Sequence, residues 1–195
     1  FRTNVDLFQI TTDGAQQTMP AIYADMVAYT NFGGSQGIDI WGYSLRRQEN
    51  FPLVEKPGQQ WVTDLYSNLV IYEDVDETTL DYDLRLYDLR RETDQLIAGG
   101  PGAQTSGVTN GRQVVYINGG ACGKLYVYDL RTRTTNKIVE STCHPIRIWN
   151  QIIVYPVANP AGTDIYGYDL RKGEEFPIAT QDGFQEVPDI FQSKV

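Results

Sequence analysis

Short runs of apolar and β-branched residues recur along the chain between breaks of Gly, Pro, Asn and Asp, and no stretch keeps a 3.6-residue apolar period long enough for a helix. The first set of runs predicts four antiparallel strands: A over residues 19–23, a two-residue turn at Ala24 and Asp25, B over 26–30, C over 38–46 and D over 51–54. The same set then returns. Strand C ends in "IWGYSLRR", "LRLYDLRR", "LYVYDLRT" and "IYGYDLRK", whose tyrosines Tyr43, Tyr87, Tyr128 and Tyr168 are 44, 41 and 40 residues apart. Strand B ends in "MVAY", "LVIY", "QVVY" and "IIVY", at Tyr29, Tyr72, Tyr116 and Tyr155. Two columns that keep step define an internal repeat.

Four strands in roughly 40 residues, repeated, are the unit of a β-propeller, in which each blade buries both faces against its neighbours. The near-continuous apolar character of strand C follows from that double burial. Asp88, Asp129 and Asp169, which follow the strand-C tyrosines, are placed to hydrogen-bond the next turn. The expected fold is therefore all-β, with repeats near 12–54, 55–98, 99–139 and 140–179 and a partial fifth over 180–195.

D strands centre on Ile10, Leu53, Ile97, Ile138 and Ile178, and A strands begin near Pro20, Thr63, Gly107, Ile146 and Pro188, whereas B and C are complete only four times. Residues 1–11 are the natural closing strand of the split fifth blade, giving five blades if the ring closes, or part of a larger propeller. The opening "FRTNV" reads as a mature secreted product or a piece of a longer chain, and an open blade invites completion by a partner or self-association.

The stretch "DIYGYDLRKGEEFPIATQDGFQEVPDIF", echoed upstream by "DIWGYSLRRQENFPL", resembles the TolB-like propeller repeats of bacterial and archaeal periplasmic and cell-surface proteins. The second unit departs from that pattern with an acidic loop, the third with "GACGK". The resemblance implies a binding scaffold and leaves the ligand unspecified.

Charge narrows the partners. A net charge of -9 and a pI near 4.5 disfavour nucleic acid and anionic membranes, while a cationic partner or a metal is easier to accommodate. No apolar run reaches the roughly 18 residues that span a bilayer.

Candidate site residues come from the loops of the D-to-A and B-to-C face. Gln17, Gln60, Gln104 and Gln185, with Cys143 in the matching place, form a column three residues before strand A, and a ring of amides there could bind a carbohydrate or a peptide backbone. The alternative is that each Gln ties its loop to the blade. Cys122 and Cys143 fall on one face at one blade boundary, which predicts a disulfide and an oxidising compartment. His144 beside Cys143 makes no catalytic pair, because neighbours on an extended chain point apart. The acidic stretch "YEDVDETTLDYD" offers Asp74, Asp76, Asp81 and Asp83 as possible calcium ligands, or a solvated loop. Tyr23, Tyr66, Trp149 and Phe191, at the ends of strand A, are expected to pack at the other rim. The leading expectation is a secreted, periplasmic or cell-surface module binding protein or glycan. The alternatives are a polysaccharide lyase or glycosidase on the same scaffold, and a surface-layer or filament subunit.

Overall fold

The computed structural model describes residues 7–34, 37–191 and 194–195, and every regular element in them is a strand. Blade 1 is β1 (Gln17–Tyr23), β2 (Met26–Asn31), β3 (Gly37–Ser44) and β4 (Glu49–Val54). Blade 2 is β5 (Gly58–Tyr66), β6 (Leu69–Val75), β7 (Tyr82–Asp88) and β8 (Thr93–Ala98). Blade 3 is β9 (Gln104–Thr109), β10 (Gln113–Asn118), β11 (Cys122–Asp129) and β12 (Thr134–Cys143). Blade 4 is β13 (Arg147–Trp149), β14 (Ile152–Asn159), β15 (Gly162–Asp169) and β16 (Glu174–Ala179). β17 (Gly183–Phe184) begins a further A strand, parallel to the start of β15. Within each blade the strands pair antiparallel in chain order.

The repeat follows from burial on both sides of strand B. Val70 and Tyr72 join Ala28, Ile40 and Val54 of blade 1 in one apolar cluster, while Ile71, between them, joins Val114, Tyr116 and Tyr128 of blade 3 in another. The same alternation seats Val115 and Ile117 against Ile146, Ile153 and Tyr155 of blade 4. Three inter-blade cores thus replace a single central one, and each strand-B tyrosine faces the preceding blade. Tyr29 has no complete blade on that side among the described residues. There Ile10 joins Val27, Tyr29 and Tyr43, and Asn50 Nδ2 donates to the Ile10 carbonyl (2.7 Å).

Ile10 therefore occupies the place of a D-strand residue, as the sequence suggested, but residues 7–11 form no strand. A strand needs hydrogen-bonding neighbours, and the described residues contain no fifth B and C pair to supply them. Residues 1–6, the rest of the expected closing strand, lie outside the described residues. Residues 187–190, expected in the same blade, carry no strand pairing either.

Strand A also starts earlier than its apolar pattern indicates, at Gln17, Gly58 and Gln104. Its upper half is polar and bulged, with register shifts between Thr18 and Ala21 and between Val62 and Asp64, and positive φ at Met19 (50°) and Ser106 (58°). The turn aspartates behave as expected. Asp88, Asp129 and Asp169 each accept two backbone N–H groups of the C-to-D turn through Oδ1, at 2.9–3.3 Å. Ser44 takes that place in blade 1, accepting from Arg47 N–H (3.2 Å).

Candidate functional site

Because the A strands are innermost, the upper halves of β1, β5, β9 and the chain entering β13 converge on one cavity of about 660 Å³. Met19, Val62, Val108 and Ile146 give it apolar patches, and Thr63, Thr105 and Ser106 give it hydroxyl groups. Tyr82 at the start of β7, with Ala103, Ala121 and His144 from the loops above, forms its mouth. Arg147 in the wall attracts Asp64 of blade 2 and lies 3.8 Å from Asp189.

The wall is held by a column of contacts between blades. Thr30 Oγ1 of blade 1 accepts from Val62 N–H of blade 2 (3.0 Å), and Glu73 Oε1 of blade 2 accepts from Ser106 N–H of blade 3 (2.9 Å). At the third boundary the matching positions are Ile117, which has no acceptor, and Pro145, which has no N–H. Both partners change together, so no buried polar group is stranded. Asp64 also crosses to blade 3, with Oδ2 accepting from Thr109 N–H (2.7 Å), while its Oδ1 accepts from Leu65 N–H (2.9 Å).

Burial pushes both Glu73 and Asp64 above the usual carboxylate range, and the backbone donors offset this only in part. A carboxyl whose folded-state value is raised favours folding while protonated, and that contribution is lost as pH rises through the folded-state value. Glu73→Gln keeps an acceptor for Ser106 without the charge. Its melting temperature should equal or exceed that of the parent near pH 7, with the advantage shrinking toward pH 4, as a thermal unfolding series would read. A deficit at pH 7 that closes on acidification would contradict this account.

None of the four column glutamines lines the cavity. Gln60 and Gln104 are fully buried, and Gln17 and Gln185 half-buried. Gln17 Nε2 donates to Asn31 Oδ1 (3.3 Å), Gln60 Nε2 to Asp74 Oδ1 (3.1 Å) and Gln104 Nε2 to the Gly102 carbonyl (3.0 Å). Their amides thus tie the top of strand A to its own blade or loop. Cys143 holds the same position at the third boundary and forms the expected disulfide with Cys122, with Cα atoms 4.0 Å apart. His144 N–H donates to the Ala121 carbonyl (3.0 Å), so the bridge is flanked by two residues of the cavity mouth.

The acidic carboxylates are mostly committed. Asp76 Oδ1 accepts from Thr78 and Thr79 N–H (2.7 and 3.0 Å), Asp81 Oδ1 from Gly102 N–H (3.1 Å) and Asp83 Oδ1 from Gly100 N–H (3.3 Å). Asp74 lies 3.6 Å from Lys56 and 3.7 Å from Arg85. Among the described residues no three acidic, His or Cys side chains gather into a group that could hold a metal ion, so the geometry gives the calcium expectation no support. The strand-A aromatics pack at the opposite rim, Tyr23 against Tyr66 (ring centroids 4.8 Å) and Trp149 against Phe191 (4.7 Å).

Sequence reading missed Glu73 and Arg147 as wall residues, and Asp64 as the carboxylate that faces Arg147. The available signal was a charge breaking its column: Glu73 aligns with Thr30, Ile117 and Pro156, and Arg147 with Ala21, Asp64 and Val108.

No protein-family profile matches the chain, and no curated protein matches its sequence. Solved structures do match its fold. TolB from Acinetobacter baumannii superposes with a TM-score of 0.67 at 11% identity, over 90% of this chain and 46% of that one. The fold is a TolB-like β-propeller. A Mycobacterium tuberculosis puromycin-hydrolysing peptidase (TM-score 0.66, 12% identity, 91% of this chain and 30% of that one) is also similar to it. So is an oligogalacturonate lyase in complex with manganese (0.62, 10%, 87% and 55%). The TolB-like propeller described here thus spans about half or less of the length of these proteins, and at such identities the likeness concerns the fold alone. No helix among the described residues is long and apolar enough to cross a membrane.

Proposed function

We propose that this TolB-like propeller is the receptor part of an extracellular or cell-surface binding module, which takes an extended protein segment into the axial funnel. The observation that carries this reading is the wall itself. All four inner strands contribute apolar groups and β5 and β9 add hydroxyl groups, in a cavity whose volume of about 660 Å³ lies within the range of ligand sites. An extended chain offers partners for both, in its side chains and backbone polar groups. The Cys122–Cys143 bridge fits an oxidising compartment.

A glycan is less favoured. Tyr82 is the aromatic in the wall, while Tyr23, Tyr66, Trp149 and Phe191 are paired with one another at the far rim. An enzyme would need convergent acid and base groups free to act, yet Glu73 in the wall and Asp64 behind it are engaged by backbone N–H groups of the next blade.

The test is amide NMR of labelled protein with pooled unstructured peptides, and separately with neutral and acidic oligosaccharides. Peptides should shift the signals of Tyr82, Thr105, Ser106 and Ile146, and Met19→Trp, an exposed position that can carry a plug, should abolish the shifts. Sugar-induced shifts at those residues, or turnover of either ligand, would overturn the proposal.

A further inference from the structure

We infer that the segment taken by the funnel is basic as well as apolar, a deepening that rests on the reading above. The inference comes from how charge is distributed about the cavity. Each of the four C-to-D turns carries two cations, from Arg46 and Arg47 in blade 1 to Arg171 and Lys172 in blade 4, so eight of the sixteen lysines and arginines lie at the rim away from the funnel mouth. Asp25, Asp88, Glu92, Asp129 and Asp169 stand at the same rim, which thus carries no excess of negative charge, and the net charge of -9 resides on the rest of the chain.

On that face the acids stand beside the mouth. Tyr82 and Ala103, which line the funnel, are chain neighbours of Asp81, Asp83 and Gly102. Asp81 and Asp83, with Asp74 and Asp76, bound a second hollow of about 430 Å³ whose other walls are Pro57, Val75, Thr79, Gly100 and Pro101. The two hollows share no lining residue, but Tyr82 of the first stands in the chain between Asp81 and Asp83 of the second. A segment that fills the funnel and leaves it past Tyr82 comes near these carboxylates.

The other B-to-C connections, 32–36, 119–121 and 160–161, carry no charged residue, so attraction is directed to the blade 2 side of the mouth. Arg147 does not oppose it, since Asp64 and Asp189 face that guanidinium. Such a layout steers a cationic segment and excludes acidic ones.

The probes are three capped peptides in which leucine alternates with lysine, serine or glutamate, titrated at low salt and at about 0.5 M salt. The lysine peptide should bind about tenfold tighter than the serine peptide at low salt, lose that margin at high salt, and exceed the glutamate peptide further. Glu77→Lys, at an exposed position, should remove most of the margin without changing the melting temperature, and Asp76→Asn with Glu77→Gln should act in the same direction. Met19→Trp should block both the lysine and serine peptides.

If all three peptides bind alike and Met19→Trp blocks them, the basic preference is wrong and the funnel reading stands. If the lysine peptide binds regardless of Met19→Trp, the attraction lies outside the funnel and both fail. If no peptide binds, the funnel reading itself fails.

Discussion

Replacing Cys122 and Cys143 with alanine should lower the unfolding free energy by about 3 kcal/mol, read from denaturant unfolding as a lower midpoint with an equal or steeper slope. The magnitude follows from the loop that the bridge closes, since the cysteines are 21 residues apart and the unfolded chain loses the corresponding freedom. The location adds a structural reason. At the first two boundaries a side chain of strand B accepts a backbone N–H of the next A strand, from Thr30 to Val62 and from Glu73 to Ser106. Ile117 and Pro145 make no such bond, and the bridge, which ties β11 to β12 within blade 3, holds fast the end of β12 from which the chain enters that boundary. Hydrogen exchange in the double variant should accelerate at the His144 amide, which is bonded to Ala121, and not at Val62 or Ser106. An unfolding free energy unchanged within about 0.5 kcal/mol, with exchange at His144 also unchanged, would show that the bridge is incidental to this part of the fold.

The parts of this fold that could be read from the sequence are those set by local chemistry or by two-sided burial. Tyr29, Tyr72, Tyr116 and Tyr155 are legible as a column because strand B is buried on both faces and tolerates little else. Asp88, Asp129 and Asp169 are legible because a turn two or three residues away presents its N–H groups to them. The cysteines are legible because the repeat puts them at the same end of the neighbouring strands β11 and β12.

The upper half of strand A is not legible in this way. It faces the cavity, carries Gln, Thr and Ser, and is displaced by a bulge, so both its polarity and its period contradict the strand pattern. Glu73 was obscured by the acids that follow it, although it ends an apolar run inside β6 rather than lying in the loop. The exchange at Ile117 and Pro145 becomes visible only once the blade register places those residues opposite each other.

Asp94→Ala should cost about 2 kcal/mol at pH 7, more than a surface ion pair and less than a fully buried one, since the charged side chains around it remain a fifth to a third exposed. In each blade the second residue of strand D lies at the strand-B tyrosine. Tyr29 donates to Asn50 Oδ1 (2.7 Å), Tyr72 to Asp94 Oδ1 (2.8 Å) and Tyr155 to Glu175 Oε2 (2.5 Å), with Thr135 beside Tyr116. Among the described residues only the lock of blade 2 carries cations as well. Lys56 Nζ contacts Asp94 Oδ2 and the Tyr72 hydroxyl (2.9 Å to the latter), and Arg85 reaches both Asp94 oxygens at 3.0–3.2 Å. Removing Asp94 leaves two cations that share only Asp74, at 3.6 and 3.7 Å.

Burial raises the Asp94 carboxyl, but hydrogen bonds from Arg85, Lys56 and Tyr72 outweigh it and hold the group below the usual carboxylate range. A depressed folded-state value contributes stability that is present above the unfolded value, about 3.9, and lost as pH falls through the folded one. The gap between parent and Asp94→Ala should therefore be widest at neutral pH and narrow only below about pH 4. Asp94→Asn, which keeps an acceptor for Tyr72 and loses the charge, should recover part of the deficit at pH 7. If Asn restores all of it, the ion pairs contribute nothing and the tyrosine bond alone holds the blade. A gap that widens on acidification would reverse the sign of the linkage and rule out the charged network as its source.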